Sequence, residues 1–214
     1  MKQGNERRSL FHSSRRWLGR MAVLSCAGCN MATPPPNTEI SNVLPLEDGW
    51  EFQQEGASNW LPAEVPGDAI TDLLRNGQID NPFHGTNEES LQWVANQNWI
   101  YRCIFDLKTV PLLSDSAALE LVFEGIDTYA EIRLNGTLLG ATDNMHRTHV
   151  MAIPEEISSP CTLEVSLKSA VSMGLKEMAA LPRLIPTSNE NKPLPERTSS
   201  VTRKAKYQYG WDWG

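Results

Sequence analysis

Several short runs between residues 99 and 168 place apolar side chains at every second position. Successive side chains of a β-strand point to opposite faces, so this period of two gives each run one apolar and one polar face. The alternating runs are 101–107, 119–123, 130–134 and 163–168. Many short strands separated by Gly, Pro and Asn predict an all-β fold, an antiparallel β-sandwich of jelly-roll type with one or two short helices.

The connections between the runs carry turn residues. Asn135-Gly136 lies between two apolar runs, which is the strongest short-range signal for a two-residue β-hairpin. Residues 182–200 contain four prolines and many polar residues, so we expect a long loop there. Residues 172–180 are compatible with a short helix that leads into this loop, although Gly174 disfavours it.

One segment has the period of a helix instead. After Asp68, the residues Ile70, Leu73 and Leu74 recur at the spacing that places them on one helical face. Asp68 is a favourable N-cap, and Gly77 is a favourable residue just beyond a helix C-terminus. We therefore expect a short helix between Asp68 and Gly77.

The charge of the chain is unevenly distributed. The 214 residues carry a net charge of −7, but residues 1–29 carry +5, which leaves −12 on the rest. An acidic body without a basic stripe argues against a nucleic-acid partner. No run reaches the roughly 18 apolar residues that a membrane-spanning helix needs, which excludes an integral membrane protein built on such helices.

The basic leader predicts export to the periplasm or the extracellular space. Residues 1–29 combine a basic region with a short apolar run, as secretory signals do, and Arg15-Arg16 resembles a twin-arginine motif. Small residues before Cys26 and Cys29 also resemble a lipoprotein signal, which would add a lipid anchor. A disordered leader or a misassigned start codon is the alternative. Residues 30–48 are expected to be a linker, because of their prolines, and residues 49–214 the folded domain.

Neither a metal nor another cofactor is expected. Cys103 and Cys161 lie in or near strand-like runs, where buried free cysteines are common. Cys26 and Cys29 have the spacing of zinc ligands, but a zinc site would need two more ligands, and no second pair of Cys or His at ligand spacing supplies them. The isolated residues His84, His146 and His149 are expected to be structural.

The C-terminal segment concentrates candidate sugar-binding chemistry. Asp212 lies between Trp211 and Trp213, and glycines flank the three residues. Indole rings can stack on the apolar faces of sugars, while a carboxylate accepts strong hydrogen bonds from hydroxyl groups. The alternative is that both Trp residues pack in the core and Asp212 caps a turn.

An ordered series of short motifs from Trp50 to the end resembles the opening domain of β-mannosidases of glycoside hydrolase family 2. The ordered series is far more specific than any single motif. His146 departs from it, because the family has an aromatic residue there. The motifs are Val65-Pro66-Gly67, Thr71-Asp72-Leu73-Leu74, Asn81-Pro82-Phe83-His84-Gly85, Asn87-Glu88, Leu91-Gln92-Trp93, Trp99-Ile100-Tyr101-Arg102, Phe123-Glu124-Gly125-Ile126-Asp127-Thr128-Tyr129-Ala130, Leu134-Asn135-Gly136, Asp143-Asn144-Met145-His146-Arg147, Arg203-Lys204-Ala205 and Gly210-Trp211-Asp212-Trp213-Gly214.

The resemblance implies a galactose-binding-like sandwich that begins a multidomain enzyme cleaving terminal β-mannosides. It also implies that Asp212 holds hydroxyls of a β-mannoside or oligosaccharide, and that the two catalytic Glu belong to a (β/α)8 barrel outside this chain. No catalytic residue is therefore expected here, and the chain alone should be inactive. The adjacent pairs Glu88-Glu89 and Glu155-Glu156 lie in no catalytic motif and are expected at the surface.

Two hypotheses for the function follow. The first is the N-terminal part of an exported β-mannosidase, and the second is a stand-alone carbohydrate-binding or interaction module. A chain that stops directly after the Trp-Asp-Trp motif favours the first, because a natural domain is rarely expected to end inside a sugar-contacting loop.

Overall fold

The computed structural model describes residues 21–26, 43–110, 118–183, 185–187, 190 and 192–209. The strands in these residues are β1 (Met21–Cys26), β2 (Val43–Pro45), β3 (Glu51–Gln54), β4 (Leu61–Pro62), β5 (Trp99–Phe105), β6 (Ala118–Phe123), β7 (Tyr129–Leu134), β8 (Thr137–Asp143), β9 (His149–Ala152) and β10 (Cys161–Lys168). The α-helices are α1 (Ala69–Arg75), α2 (Asn87–Ser90) and α3 (Ala170–Ala180). Short 3-10 turns cover Val94–Asn96, Leu107–Thr109, Leu194–Glu196 and Lys206–Tyr209.

The strands form two antiparallel sheets that share one core. The smaller sheet has the order β2-β1-β6-β9 and the larger sheet the order β4-β3-β5-β10-β7-β8. Leu121 and Phe123 of the smaller sheet belong to the same buried cluster as Ile132 and Leu163 of the larger sheet. The predicted fold class, an antiparallel all-β sandwich, is confirmed.

The period-two pattern gives the correct inward face of the strands. In β5, Tyr101, Cys103 and Phe105 are buried, whereas Ile104 is 62% exposed. The predicted strand over 101–107 is too long at its end. The side chain of Asp106 accepts a hydrogen bond from the Lys108 N–H at 3.0 Å, and this cap turns the chain into a 3-10 turn at Leu107.

The predicted hairpin joins β7 to β8. Asn135 and Gly136 have φ angles of 48° and 80°, the left-handed region that a two-residue type I′ turn requires. The Asn135 side chain donates to the Ser158 carbonyl at 2.8 Å and accepts from the Thr162 N–H at 2.7 Å. These two bonds tie the turn to the start of β10.

The helix after Asp68 is present, but it buries a different face. The Asp68 carboxylate caps α1 by accepting from the Thr71 N–H at 2.9 Å. Leu73 is buried as expected, whereas Ile70 and Leu74 are 40% and 36% exposed. The side chain that accompanies Leu73 into the interior is Asp72, which local periodicity assigns to the polar side.

The C-terminal half follows the sequence prediction more closely. The helix expected over 172–180 is α3, which begins two residues earlier because the Ser169 side chain caps it. The described residues of the expected loop, 182–200, contain one 3-10 turn and no strand. The one-turn helix α2 was not predicted.

The folded part begins upstream of residue 49. Strand β2 and the buried Leu46 lie inside the expected linker, 30–48, and β2 pairs with β1. Strand β1 lies inside the expected export signal and pairs with β6 over six residue pairs. An apolar run suits a signal and a strand equally well, so the export signal stays a prediction. Among the described helices, none has the length and apolar character to cross a bilayer.

Candidate functional site

The three residues predicted to contact a sugar, Trp211, Asp212 and Trp213, lie outside the described residues. The described chain leads up to them as far as Tyr209, in the 3-10 turn Lys206–Tyr209. Tyr209 and its neighbour Gln208 line a cleft. This cleft is therefore the candidate functional site in the described part of the chain.

The cleft has a volume of about 870 Å³. Its walls come from the start of α1, the 3-10 turn Val94–Asn96, the start of α3 and parts of the segment 190–209. Ligand sites occupy roughly 300–1,000 Å³, so the space is large enough for one or two sugar units. The lining mixes aromatic rings with amide, carboxylate and ammonium groups, as a carbohydrate requires.

Aromatic residues of β5 give the cleft a fixed wall. Trp99 and Tyr101 both line it, because the alternation of β5 points both side chains to the same face. The Phe52 ring lies 5.8 Å from the Trp99 ring and 5.5 Å from the Tyr101 ring. The Trp99 indole N–H also donates to the Val94 carbonyl at 3.1 Å. Such packed aromatic contacts hold the wall in one conformation.

A buried carboxylate supports that wall from behind. Asp72 is 0% exposed, and its Oδ2 accepts a hydrogen bond from the Tyr101 hydroxyl at 3.0 Å. Its Oδ1 accepts from the Glu64 N–H at 3.0 Å and from the Arg75 guanidinium at 3.3 Å. Burial raises the pKa of Asp72, and the bonds from Glu64 and Tyr101 partly offset this rise. Burial also raises the pKa of Tyr101 well above its usual range, so Tyr101 is the proton donor in their hydrogen bond.

An ion pair joins the cleft wall to the C-terminal segment. Lys204 Nζ donates to Asp127 Oδ2, and both side chains line the cleft. The side chains are 22% and 14% exposed, respectively. The two residues are 77 positions apart, so no local pattern could reveal the pair, although both lie in motifs that carry the family resemblance.

A second carboxylate fixes the turn before Lys204. Glu190 is buried, and its two oxygens accept hydrogen bonds from the Thr198 N–H at 3.1 Å and the Ser199 N–H at 2.5 Å. Lys206 donates to the Ser199 carbonyl as well. Glu190 lies in the segment whose composition predicts a long polar loop, and nothing in its local sequence indicates that it is buried.

The remaining candidates fall into structural roles or at the surface. Exposed histidines are His84 and His146, while His149 contacts the Asn144 carbonyl at 3.0 Å through Nε2. Asn87 donates to the Asn81 carbonyl at 2.9 Å and so orders its own loop. The two acidic pairs expected at the surface, Glu88-Glu89 and Glu155-Glu156, are exposed. Of these four side chains, Glu88 lines the cleft. In the described part of the chain, His, Cys, Asp and Glu never gather in threes that could hold a metal ion.

Most of the acidic side chains that line the described cleft already have a partner. Of its four acidic side chains, Asp68 caps α1, Asp127 pairs with Lys204, and Glu190 binds the backbone of the 198–199 turn. Glu88 is the fourth. Retaining glycoside hydrolysis needs two carboxyl groups about 5–5.5 Å apart on either side of the scissile bond. Among the described lining residues, no second uncommitted carboxylate accompanies Glu88.

The described residues form a two-sheet antiparallel sandwich with a polar and aromatic cleft beside its C-terminal segment. The family described as "Glycosyl hydrolase 2 galactose-binding domain-like" matches residues 50–214. The chain belongs to this family, and the resemblance found in its motifs is confirmed.

The most similar relatives include several β-mannosidases. Beta-mannosidase B of Emericella nidulans is 33% identical over 177 residues, and that of Thermothelomyces thermophilus is 34% identical over 176 residues. These matches cover 79% and 80% of this chain and 20% of each relative. The crystal structure of the β-D-mannosidase from Dictyoglomus thermophilum matches with a TM-score of 0.68 and 34% identity, over 79% of this chain and 20% of that chain. The chain thus spans one fifth of the length of these relatives.

Proposed function

We propose that this chain is the N-terminal sugar-binding domain of a β-mannosidase that hydrolyses terminal β-mannosides. Support comes from the family match over 50–214 and from relatives that are named β-mannosidases and are about five times the matched length. The catalytic carboxylates of such an enzyme then lie outside this chain, on the barrel domain that the resemblance implies. The described cleft agrees with this division, because three of its four acidic side chains are already engaged.

The observation that carries the proposal is the position of Tyr209, the last described residue before Asp212. Tyr209 lines the cleft, and Asp212 follows it by three residues. A fully extended chain advances at most about 3.6 Å per residue, so the Cα atom of Asp212 lies within about 11 Å of the Cα atom of Tyr209. This short reach supports a place for Asp212 at the edge of the cleft.

The chemistry of the motif suits a terminal sugar. The Asp212 carboxylate can accept hydrogen bonds from two hydroxyl groups, and bonds to an ionised group are about twice as strong as neutral ones. Trp211 and Trp213 offer apolar faces for the C–H side of the ring. A mannoside held in this way presents its glycosidic bond to the neighbouring catalytic domain.

The decisive experiment is Asp212→Ala in the complete gene product, assayed with an aryl β-mannoside. Loss of two charge-assisted bonds of roughly 1.5–3 kcal/mol each should lower kcat/KM by about 10²-fold or more. Asp48→Ala is the matched control, because Asp48 also lies within two residues of a Gly and a Trp, is exposed, and does not line the cleft. An Asp212→Ala enzyme with a lowered melting temperature and normal kinetics would make Asp212 a turn cap and would remove it from the site.

The same assay separates the two hypotheses for the whole protein. Residues 30–214 alone should leave the aryl β-mannoside intact, whereas the complete gene product should hydrolyse it. A gene whose coding sequence stops at codon 214 would instead make this chain a stand-alone carbohydrate-binding module. Hydrolysis that purifies with residues 30–214 would overturn the assignment of catalysis to another domain.

Export is the second part of the proposal. It rests on the +5 charge of residues 1–29 and on Arg15-Arg16. A more specific version of the proposal adds a lipid anchor at Cys26 or Cys29. A reporter fused to the chain should leave the cytoplasm. If the twin-arginine route is used, the double change Arg15→Lys and Arg16→Lys should keep the reporter in the cytoplasm. The mass of the exported protein then shows whether β1 is kept, because cleavage after residue 29 would remove that strand from between β2 and β6.

A further inference from the structure

The chain that leads to the Trp-Asp-Trp motif is attached to the sandwich at three points. The first attachment is to the loop after β8. The Met145 N–H donates to the Arg203 carbonyl at 3.1 Å, and Asn144 forms a parallel β-bridge with Arg203. The Ala205 N–H lies 2.9 Å from Met145 Sδ, and both residues are buried. Residues on each side of Lys204 therefore have fixed backbones.

The second attachment is the ion pair between Asp127 and Lys204. Asp127 lies between β6 and β7, near the buried start of β7 at Tyr129. Because the two side chains are only 14% and 22% exposed, water screens their attraction less than it screens a surface pair. Removing one partner would leave a mostly buried charge without its counterion, so the pair holds one geometry.

The third attachment is the turn 198–202, which is fixed from two sides. Glu190 binds the N–H groups of Thr198 and Ser199, as described above. On the other side, α3 approaches so closely that a Cβ atom at Gly174 would lie 2.6 Å from Thr198 Cβ and 2.8 Å from Thr202 Oγ1. Thr198 and Thr202 are 3% and 1% exposed. The turn can therefore not slide along α3.

Three attachments within eight residues make this segment a rigid support. We infer that Asp127 is a positioning residue, which acts through Lys204 to fix the direction in which the chain enters Trp211-Asp212-Trp213. This inference rests on the proposed role of Asp212 in sugar binding. A displacement of about 1 Å in a reacting or binding group can cost about 10²-fold in rate. A shift of Lys204, eight residues before Asp212, that is passed along the chain should therefore lower turnover.

A double-mutant cycle in the complete gene product tests the inference. The proteins are wild type, Asp127→Asn, Asp212→Ala and the double variant, and the measurement is kcat, KM and kcat/KM for an aryl β-mannoside. Asp127→Asn should lower kcat/KM by about tenfold or more in the wild-type background, because it displaces the segment that leads to Asp212. If both changes act on the same sugar contact, their effects are not additive. In the Asp212→Ala background the same change should cost less than about twofold.

The cycle distinguishes failure of the inference from failure of the proposed function. Normal kinetics of Asp212→Ala would overturn the proposed function. An impaired Asp212→Ala enzyme in which Asp127→Asn costs the same factor in both backgrounds would overturn only the inference. Glu131→Gln is the matched control, because Glu131 also pairs with a basic residue, Arg133 at 3.3 Å, but does not line the cleft. It should leave kcat/KM unchanged.

Hydrogen exchange provides a second readout that does not depend on turnover. In Asp127→Asn, the amides of residues 203–209 should exchange faster, while those of β10 should keep the wild-type rate. Lys204→Arg keeps the charge pair and should keep both the exchange rates and kcat/KM near the wild-type values, whereas Lys204→Gln should behave like Asp127→Asn. If both Asp127→Asn and Lys204→Gln fail to fold, the pair supports the whole domain, and the specific positioning role is rejected.

Discussion

Removing the hydroxyl of Tyr101 should destabilise the domain more than its small size suggests. Tyr101→Phe keeps the ring against Phe52 but leaves Oδ2 of the fully buried Asp72 without its 3.0 Å donor. A hydrogen bond to a charged group contributes about 1.5–3 kcal/mol, so we expect the free energy of unfolding to fall by about 2 kcal/mol. Asp72→Ala should cost about 3–5 kcal/mol, because it removes the acceptor of the buried Tyr101 hydroxyl and of the part-buried Glu64 N–H bond.

Urea unfolding at constant pH measures these changes through the midpoint, with the m-value as a check on two-state behaviour. Tyr129→Phe is the matched control, because its hydroxyl also donates to a carboxylate, that of Glu177 at 2.8 Å. Glu177 is only half-buried, so solvent can replace the lost bond, and the cost should stay below about 1 kcal/mol. Equal costs for Tyr101→Phe and Tyr129→Phe would refute the argument from burial.

The same cluster predicts a pH dependence with a definite sign. Because burial raises the pKa of Asp72 above its ordinary 3.8, the folded state holds this proton more tightly than the unfolded chain does. The contribution of Asp72 to stability is therefore full below about pH 3.8 and is lost as the pH rises through the raised pKa. Asp72→Asn lacks this titration, so its stability deficit relative to wild type should be larger at pH 3 than at pH 7. A deficit that grows toward neutral pH would show that the hydrogen bonds outweigh burial.

Two further predictions concern the hairpin and the thiols. Asn135→Gly keeps the left-handed turn but loses the bonds to Ser158 and Thr162, so the free energy of unfolding in urea should fall by about 1–2 kcal/mol. Asn135→Ala should cost more, because Ala tolerates a φ of 48° poorly. Equal costs for the two variants would exclude a backbone contribution. Cys103 and Cys161 are buried, and burial raises the pKa of Cys103 to about 12, so mass mapping should find both unmodified by a maleimide at pH 8 until urea unfolds the protein.

The sequence was informative wherever a structural feature depends on neighbouring residues. The alternation in β5 and β10 predicted which side chains point into the core, because a strand fixes that direction from one residue to the next. Asn135-Gly136 predicted its hairpin because the turn itself requires residues that adopt positive φ. Asp68 predicted the start of α1 because a cap is a contact between residues three apart.

The features that only the tertiary structure decided depend on residues far apart in the chain. Local periodicity assigned Asp72 to a polar face, but Tyr101, 29 residues later, supplies the donor that allows its burial. Asp127 meets Lys204 across 77 residues, and Glu190 gains its role only because the loop folds back over it. A charged side chain is buried only where its partners converge, and this convergence is set by the packing of the two sheets and α3. The sequence thus determined the central strands, the β7–β8 hairpin, the start of α1 and the family, whereas the packing of distant segments determined which charged groups support the cleft.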